Sequence, residues 1–333
     1  MKANLQSLNQ TAVKKKGSWT KLPMMNFVLS NSGILIALIS LIVFFAITTS
    51  TFMTPSNLLN VLRQISINAI IAFGMTFTIL ITGIDLSVGS VLAASQVITI
   101  GLLFMGVPIV PALFGGILIG AVLGFINGFV ITKGKIPPFI VTLSMMIMAR
   151  GLSYVLTGGR PMSFNNDVLS FIGNGYIGPI PVPVIIMILC LIITSFVLNK
   201  TRFGRHVYAI GGNREAARFS GIHISKIEII VYTISGVLAG LSGVILAARM
   251  SSAQPTSGNG FELDAIAAVV LGGTSFSGGI GKIGGVFIGA LIIGVLNNGL
   301  NLLHVSSYWQ MIIKGLVIVT AVYVDSVKKK KST

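Results

Sequence analysis

The sequence predicts an all-α polytopic membrane protein of about ten transmembrane helices, with an internal repeat whose two copies enter the membrane from opposite sides. Three observations predict it. Of 333 residues, 53% are apolar and only 9% are charged, against about 25% charged in an ordinary soluble domain. Several apolar stretches reach about seventeen residues without a charge, roughly what a 30 Å hydrocarbon core requires. A glycine-rich motif also recurs across the two halves of the chain.

Apolar runs set against charged or Gly/Pro-rich breaks give spans near 33–50, 64–82, 87–106, 109–131, 138–156, 181–198, 228–248, 263–278, 284–303 and 308–325. The first follows a basic segment (1–32). It is long for a signal-peptide core and no small-x-small site follows it, so it reads as an uncleaved span. The apolar, membrane-spanning body occupies 33–325, interrupted by a polar loop at 199–228, and a basic tail closes the chain at 326–333. The eighth span is short and rich in Gly and Ser, which suits a broken or re-entrant segment packed inside protein.

The formal net charge is +16, from 23 Lys and Arg against 7 Asp and Glu. An even number of spans puts both termini on one side. That side collects Lys2, Lys14, Lys15, Lys16, Lys21, Lys133, Lys135, Lys200, Arg202, Arg205, Arg214, Arg218, Lys226, Lys282 and Lys328 to Lys331, which are 18 of the 23 basic residues. The positive-inside rule makes it the cytoplasm. Charge distributed in short loops between spans argues against nucleic acid as a partner. Cys190 is the single cysteine, which excludes an intrachain disulfide, and three scattered histidines make no metal site.

The repeat is Gly115-Gly116-Ile117-Leu118-Ile119-Gly120-Ala121 in span four and Gly284-Gly285-Val286-Phe287-Ile288-Gly289-Ala290 in span nine. Each leads to an Asn-Gly pair, Asn127-Gly128 and Asn298-Gly299. Small residues at such spacing suit close helix packing. Five spans separate the copies, so the topology inverts, an architecture recurrent in transporters. Translocation fits this pattern better than intramembrane catalysis, for which no Ser/His/Asp or metal cluster exists.

The loop from Asn199 to Glu228 contains Gly211, Gly212, Asn213, Arg214, Glu215, Ala216, Ala217, Arg218, Phe219, Ser220 and Gly221. Asn213 can cap a short helix, Glu215 suits its first turn and Gly221 its end. Phe219 gives that helix an apolar knob for a soluble partner. The Glu-Ala-Ala-x-x-x-Gly string resembles the coupling-loop motif of bacterial ABC importer permeases. The distal Ile-x-Leu-Pro part of the maltose-type version is missing.

Gly204-Arg205 with Tyr208 to Asn213 is instead similar to the monosaccharide permeases of the ribose, xylose and galactose group. So are Gly83-Ile84-Asp85-Leu86-Ser87-Val88-Gly89-Ser90, Ser251 to Thr256 and Glu262 to Thr274. With Asn297 to Leu302 and Ser306 to Gln310, the C-terminal third looks most like ribose permeases. The resemblance covers nearly the whole chain beyond the first thirty residues. It implies a fold similar to the vitamin B12 importer's, with two permease subunits forming the path, a separate ATPase that binds ATP and Mg, and an extracytoplasmic sugar-binding protein. It places the chain in the bacterial plasma (inner) membrane, in contact with lipid, as a transport subunit for a monosaccharide, D-ribose first, rather than an enzyme.

Gly279 to Gly284 matches Gly-x-Gly-x-x-Gly, but it lies between apolar spans and no acid follows until Asp325, so a dinucleotide site lacks its context. No Walker A sequence is present, so this chain is expected not to hydrolyse ATP and to draw energy from a partner, with no cofactor expected in the chain itself.

Asp85 is the one acid in the first half of the spans, either a functional carboxylate or a cap for span three together with Ser87. Sugar passage calls for neutral amides and hydroxyls, and Asn68, Asn127, Asn297, Asn298, Asn301 and Gln310 supply them. Arg63, Arg160 and Arg249 on the outer side could meet a docking protein or snorkel. Glu262 and Asp264 could cap span eight or dock the same protein. Lys314, inside span ten, is expected to reach outward to the interface. The competing reading is an autonomous secondary carrier or facilitator, although such carriers usually keep carboxylates or histidines deep in the membrane.

Overall fold

The computed structural model describes residues 32–330. The basic residues Lys2 to Lys21 and the last three residues of the tail lie outside the described residues. Thirteen helices follow in order: α1 (Ser32–Thr48), α2 (Pro55–Leu80), α3 (Val88–Phe104), α4 (Ile109–Gly134), α5 (Pro138–Thr157), α6 (Asp167–Asn174), α7 (Val182–Lys200), α8 (Arg202–Gly212), α9 (Arg214–Phe219), α10 (Ile224–Met250), α11 (Phe261–Leu271), α12 (Ile283–Leu302) and α13 (Ser307–Lys330). Among the described residues, six are long and apolar enough to cross a membrane: α2, α4, α5, α7, α10 and α12. Helices α1 and α3 are shorter apolar helices.

Each predicted span overlaps a helix, and four differ by four residues or more at one end, α10 among them with its start at Ile224. Helix α2 starts at Pro55, well before the expected 64, because Thr54 caps it, accepting a hydrogen bond from the Asn57 N–H at 3.4 Å, and proline suits the first turn. Leu58, Leu59, Val61 and Leu62 belong to it, but Arg63 separates them from the uncharged run at which the expected span begins. Helix α11 stops at Leu271, where Gly272 and the positive φ of Gly273 end it. Eleven residues reach only about 16 Å, so the helix here is shorter than the expected 263–278. Helix α13 continues to Lys330, past the expected start of the tail at 326, since lysine is a good helix former and favoured at a helix C-terminus.

Burial sorts the helices into an inner and an outer set. The apolar windows of α2, α10 and α12 are 67% buried, whereas those of α4 and α5 are 22% and 28% buried. Helix α10 packs along α4, α3 and α2, and α12 packs on α11 and α2. Taking α2–α5 and α10–α13 as two series, α3 on α4 is matched by α11 on α12, and α4 on α10 by α12 on α2. Likewise α3 on α10 is matched by α11 on α2, and α3 on α5 by α11 on α13.

Glycine makes the tightest of these crossings possible. A Cβ at Gly120 would run into the Gly236 carbonyl and, at 2.8 Å, the Gly240 Cα; one at Gly124 would strike the Tyr232 carbonyl. In the second copy of the motif, a Cβ at Gly289 would strike the Ala268 carbonyl of α11. Both copies therefore press backbone against backbone, as small-residue motifs do between membrane helices.

Two short antiparallel pairs, Met162–Ser163 with Ser252–Ala253 and Tyr176–Ile177 with Ile180–Pro181, tie down the connections flanking α6.

Candidate functional site: a capped loop helix and two buried polar centres

Helices α8 and α9 form the polar loop. Thr201 caps α8, accepting from the Gly204 N–H at 3.1 Å, and the α8 residues Gly204, Val207, Ile210 and Gly211 are buried. Gly211 has no room for a side chain, because a Cβ there would overlap the Leu80 carbonyl at the end of α2. That carbonyl accepts from the Gly279 N–H at 2.9 Å. Tyr208 adds a second tie, donating to the Gly281 carbonyl at 2.8 Å, and its burial pushes the phenol above the ordinary tyrosine range. The loop preceding α12, which carries the Gly-x-Gly-x-x-Gly string, thus serves as a seat for α8.

Asn213 caps α9 as its position in the sequence predicts, its side-chain oxygen accepting from the Ala216 N–H at 2.9 Å. Gly221, at φ +80°, ends the motif, with the Ile222 N–H returning to the Ala217 carbonyl. Ala217 is buried against the body, while Phe219 is 86% exposed. Glu215 and Arg218 are exposed too. An apolar ring beside two opposite charges therefore projects from a short helix held rigidly at both ends. Arg214 turns the other way, making a two-pronged ion pair with Glu228 at the start of α10. The Glu228 carboxylate holds that guanidinium above its ordinary value.

The first buried centre lies at the break between α2 and α3. Asp85 is 1% exposed. One carboxylate oxygen accepts from the Ser87 N–H at 3.0 Å and its hydroxyl at 2.6 Å, and the other from the Ser235 hydroxyl of α10 at 2.8 Å. Asn127 of α4 donates to the Ser87 hydroxyl at 2.9 Å. Asp85 is therefore both a turn-former at the entry to α3 and the hub joining three elements. Asp85, Ser87 and Asn127, each a candidate for lining a sugar path, sit together and are buried within the chain.

The second centre joins α11, α12 and α13. Asp264, 3% exposed, pairs with Lys314 at 3.0 Å and accepts from Asn297 at 3.3 Å. This corrects two expectations. Asp264 points into the bundle and not toward a docking face, and Lys314 reaches inward, because a buried carboxylate attracts it more strongly than the distant interface. Glu262 behaves as a local cap, accepting from the Gly260 N–H at 3.2 Å.

Asn298 exchanges a reciprocal amide pair with Asn57, at 2.9 and 3.0 Å, and Gln310 donates to Asn301 at 2.8 Å. Asn301 is exposed and Asn298 and Gln310 are half-buried, whereas Asn68 is buried. Arg63 lies 4.7 Å over the Tyr176 ring and donates to the Asn174 carbonyl at 3.2 Å, while the Asn174 amide donates to the Arg249 carbonyl. These contacts gather Arg63 and Arg249 around α6, and Arg160 sits apart on an exposed turn. Sequence reasoning passed over Arg150, whose guanidinium donates to the Pro255 and Ser257 carbonyls, both at 2.6 Å. A lone arginine within an apolar span was the available signal, since such a charge must find partners.

A family profile described as "Branched-chain amino acid transport system / permease component" matches residues 57–322. The chain belongs to this permease family. The ribose import permease protein RbsC of Bacillus subtilis (strain 168) is 52% identical over 307 residues, covering 92% of this chain and 94% of that protein. RbsC of Escherichia coli (strain K12) is 49% identical, covering 89% and 93%. The D-allose transport system permease protein AlsC of the same strain is 42% identical, covering 86% and 89%. No solved structure matches the chain. The permease match runs from the first turn of α2 into α13, and so includes the loop helix and both buried centres.

Proposed function

We propose that this chain is the membrane-spanning permease subunit of an ATP-driven ABC importer that carries a monosaccharide, D-ribose, into a bacterial cell. The observation that carries this reading is about 50% identity to ribose import permeases of two bacteria over nearly the full length of each chain. Helix α9 supports the coupling part. It is the rigid, capped projection that an ATPase groove would grip, through Phe219, Glu215 and Arg218.

In this reading both termini and α8–α9 face the cytoplasm, ten segments count as spans with α11 as the short one, and the two helix series are inverted copies of a B12-importer-type fold. The lightly buried α4 and α5 meet lipid or a second permease copy. ATP and Mg bind the partner ATPase, and a sugar-binding protein docks on the outer face near Arg63, Arg160, Arg249 and Glu262. Sugar passes between subunits along weakly interacting amides such as Asn301 and Gln310.

The test is uptake of labelled ribose into proteoliposomes holding the permease, its ATPase and its binding protein. Uptake should need all three proteins and ATP, and Glu215→Arg should abolish it. Uptake by this chain alone, indifferent to ATP, would leave a facilitator instead.

A further inference from the structure

Helix α10 carries three polar side chains at intervals of four and three residues, Glu228, Tyr232 and Ser235, which places them on one face of the helix. All three are buried, at 5%, 1% and 1% exposure. Each touches a different part of one line. Glu228 holds Arg214, the first residue of α9. Tyr232 sets its hydroxyl against Gly83, so closely that a Cβ there would collide with it. Ser235 donates to Asp85. The line therefore runs from the exposed loop helix to the break between α2 and α3 without leaving α10.

Two features mark the line as more than static packing. Among the described residues the Tyr232 hydroxyl is buried with no hydrogen-bond partner, an arrangement that costs stability in an apolar interior. A phenylalanine would fill the space without that cost. A cleft of about 360 Å³ also opens beside the line, bordered by Gly83, Lys135, Arg214, Glu228 and Tyr232. The cleft opens to the surface, and along it these side chains have room to take a second arrangement.

We propose that Arg214, Glu228 and Tyr232 are positioning residues that carry displacement of α9 to the Asp85 centre, with the Tyr232 hydroxyl gaining its missing partner in the other access state of the transporter. This rests on α9 being the element the ATPase moves. None of the three touches sugar. A coupling of this kind needs an element with two arrangements that both ends bias, and α10 with its neighbouring cleft supplies it.

The test uses the full complex of permease, ATPase and binding protein in proteoliposomes, measuring ribose imported per ATP hydrolysed together with thermal stability of the permease in detergent. Tyr232→Phe should leave stability equal or higher, yet lower the sugar-to-ATP ratio by about 2-fold to 30-fold, the range of coupling changes of 0.5–2 kcal/mol. Glu228→Gln should lower it similarly while the ATPase still co-purifies, and the exchanged pair Arg214→Glu with Glu228→Arg should recover part of the loss. A purely structural role moves stability and leaves the ratio alone. Full coupling in both Tyr232→Phe and Glu228→Gln, with Glu215→Arg still inactive, would overturn this inference and spare the importer. Uptake that ignores ATP in every variant would instead overturn the importer reading.

Discussion

At the scale of single residues, the two acids most deeply buried illustrate opposite ways of keeping a carboxylate in an apolar body. Asp85 is satisfied by three hydrogen bonds from two serines and has no cation beside it. Asp264 is matched by the ammonium of Lys314. The consequences of mutation should differ accordingly. Lys314→Met leaves an unpaired buried carboxylate and should cost about 3–5 kcal/mol. Adding Asp264→Leu should recover much of that loss, because removing both charges removes the desolvation penalty as well. Thermal unfolding of the two variants in detergent checks this, and equal losses in single and double variants would refute it. At the first centre, Ser235→Ala removes one neutral donor to a charged acceptor and should cost about 1.5–3 kcal/mol.

At the scale of elements, neighbouring glycines in α8 give a sharp comparison. Gly211 has the Leu80 carbonyl where its Cβ would be, while a Cβ at Gly212 meets nothing within 4 Å. Gly211→Ala should therefore loosen the seat of the loop helix and lower ATP-driven uptake, and Gly212→Ala should be silent or slightly stabilising. Asn213→Ala should weaken α9 by about 1 kcal/mol, seen as faster amide hydrogen exchange over 214–219.

Much of this local structure was legible beforehand, because caps are written in adjacent residues: Asn213, Gly221 and the break at Gly83 declare themselves. What lay out of reach was anything set by distant partners. No property of Lys314 alone says that it meets Asp264 fifty positions away, and nothing in the 228–248 span marks Glu228, Tyr232 and Ser235 as a line until the turn at Gly83 is folded against it. The start of α2 was hidden for a different reason, since Asn60 and Arg63 break the apolar run that Leu58, Leu59, Val61 and Leu62 begin.

At the scale of the whole molecule, the proposed orientation rests on where the basic residues fall. The basic loop gathers at α8 and α9, whereas Arg63 and Arg249 gather around α6 and Arg160 lies on the exposed turn after α5. In a background with Cys190, the sole and buried thiol, replaced by alanine, Phe219→Cys should react with an impermeant maleimide only from the cytoplasmic side. Arg160→Cys should react only from the outside. Labelling of both from one side would contradict the orientation proposed here. The two series of helices share their packing partners, so the body behaves as two similar halves pressed along α2 and α10.

The glycine seam between α4 and α10 has a consequence for how such proteins can be recombined. Where two helices meet through main chain, the fit depends on the backbone and on small residues rather than on side chains of particular shape. A hybrid that takes α4 from one relative and α10 from another should find a fitting partner as long as both keep glycine at positions 120, 124, 236 and 240. Other contacts of the bundle, cut from side chains of particular size, would have to be exchanged as matched sets. The seam is the natural place to splice.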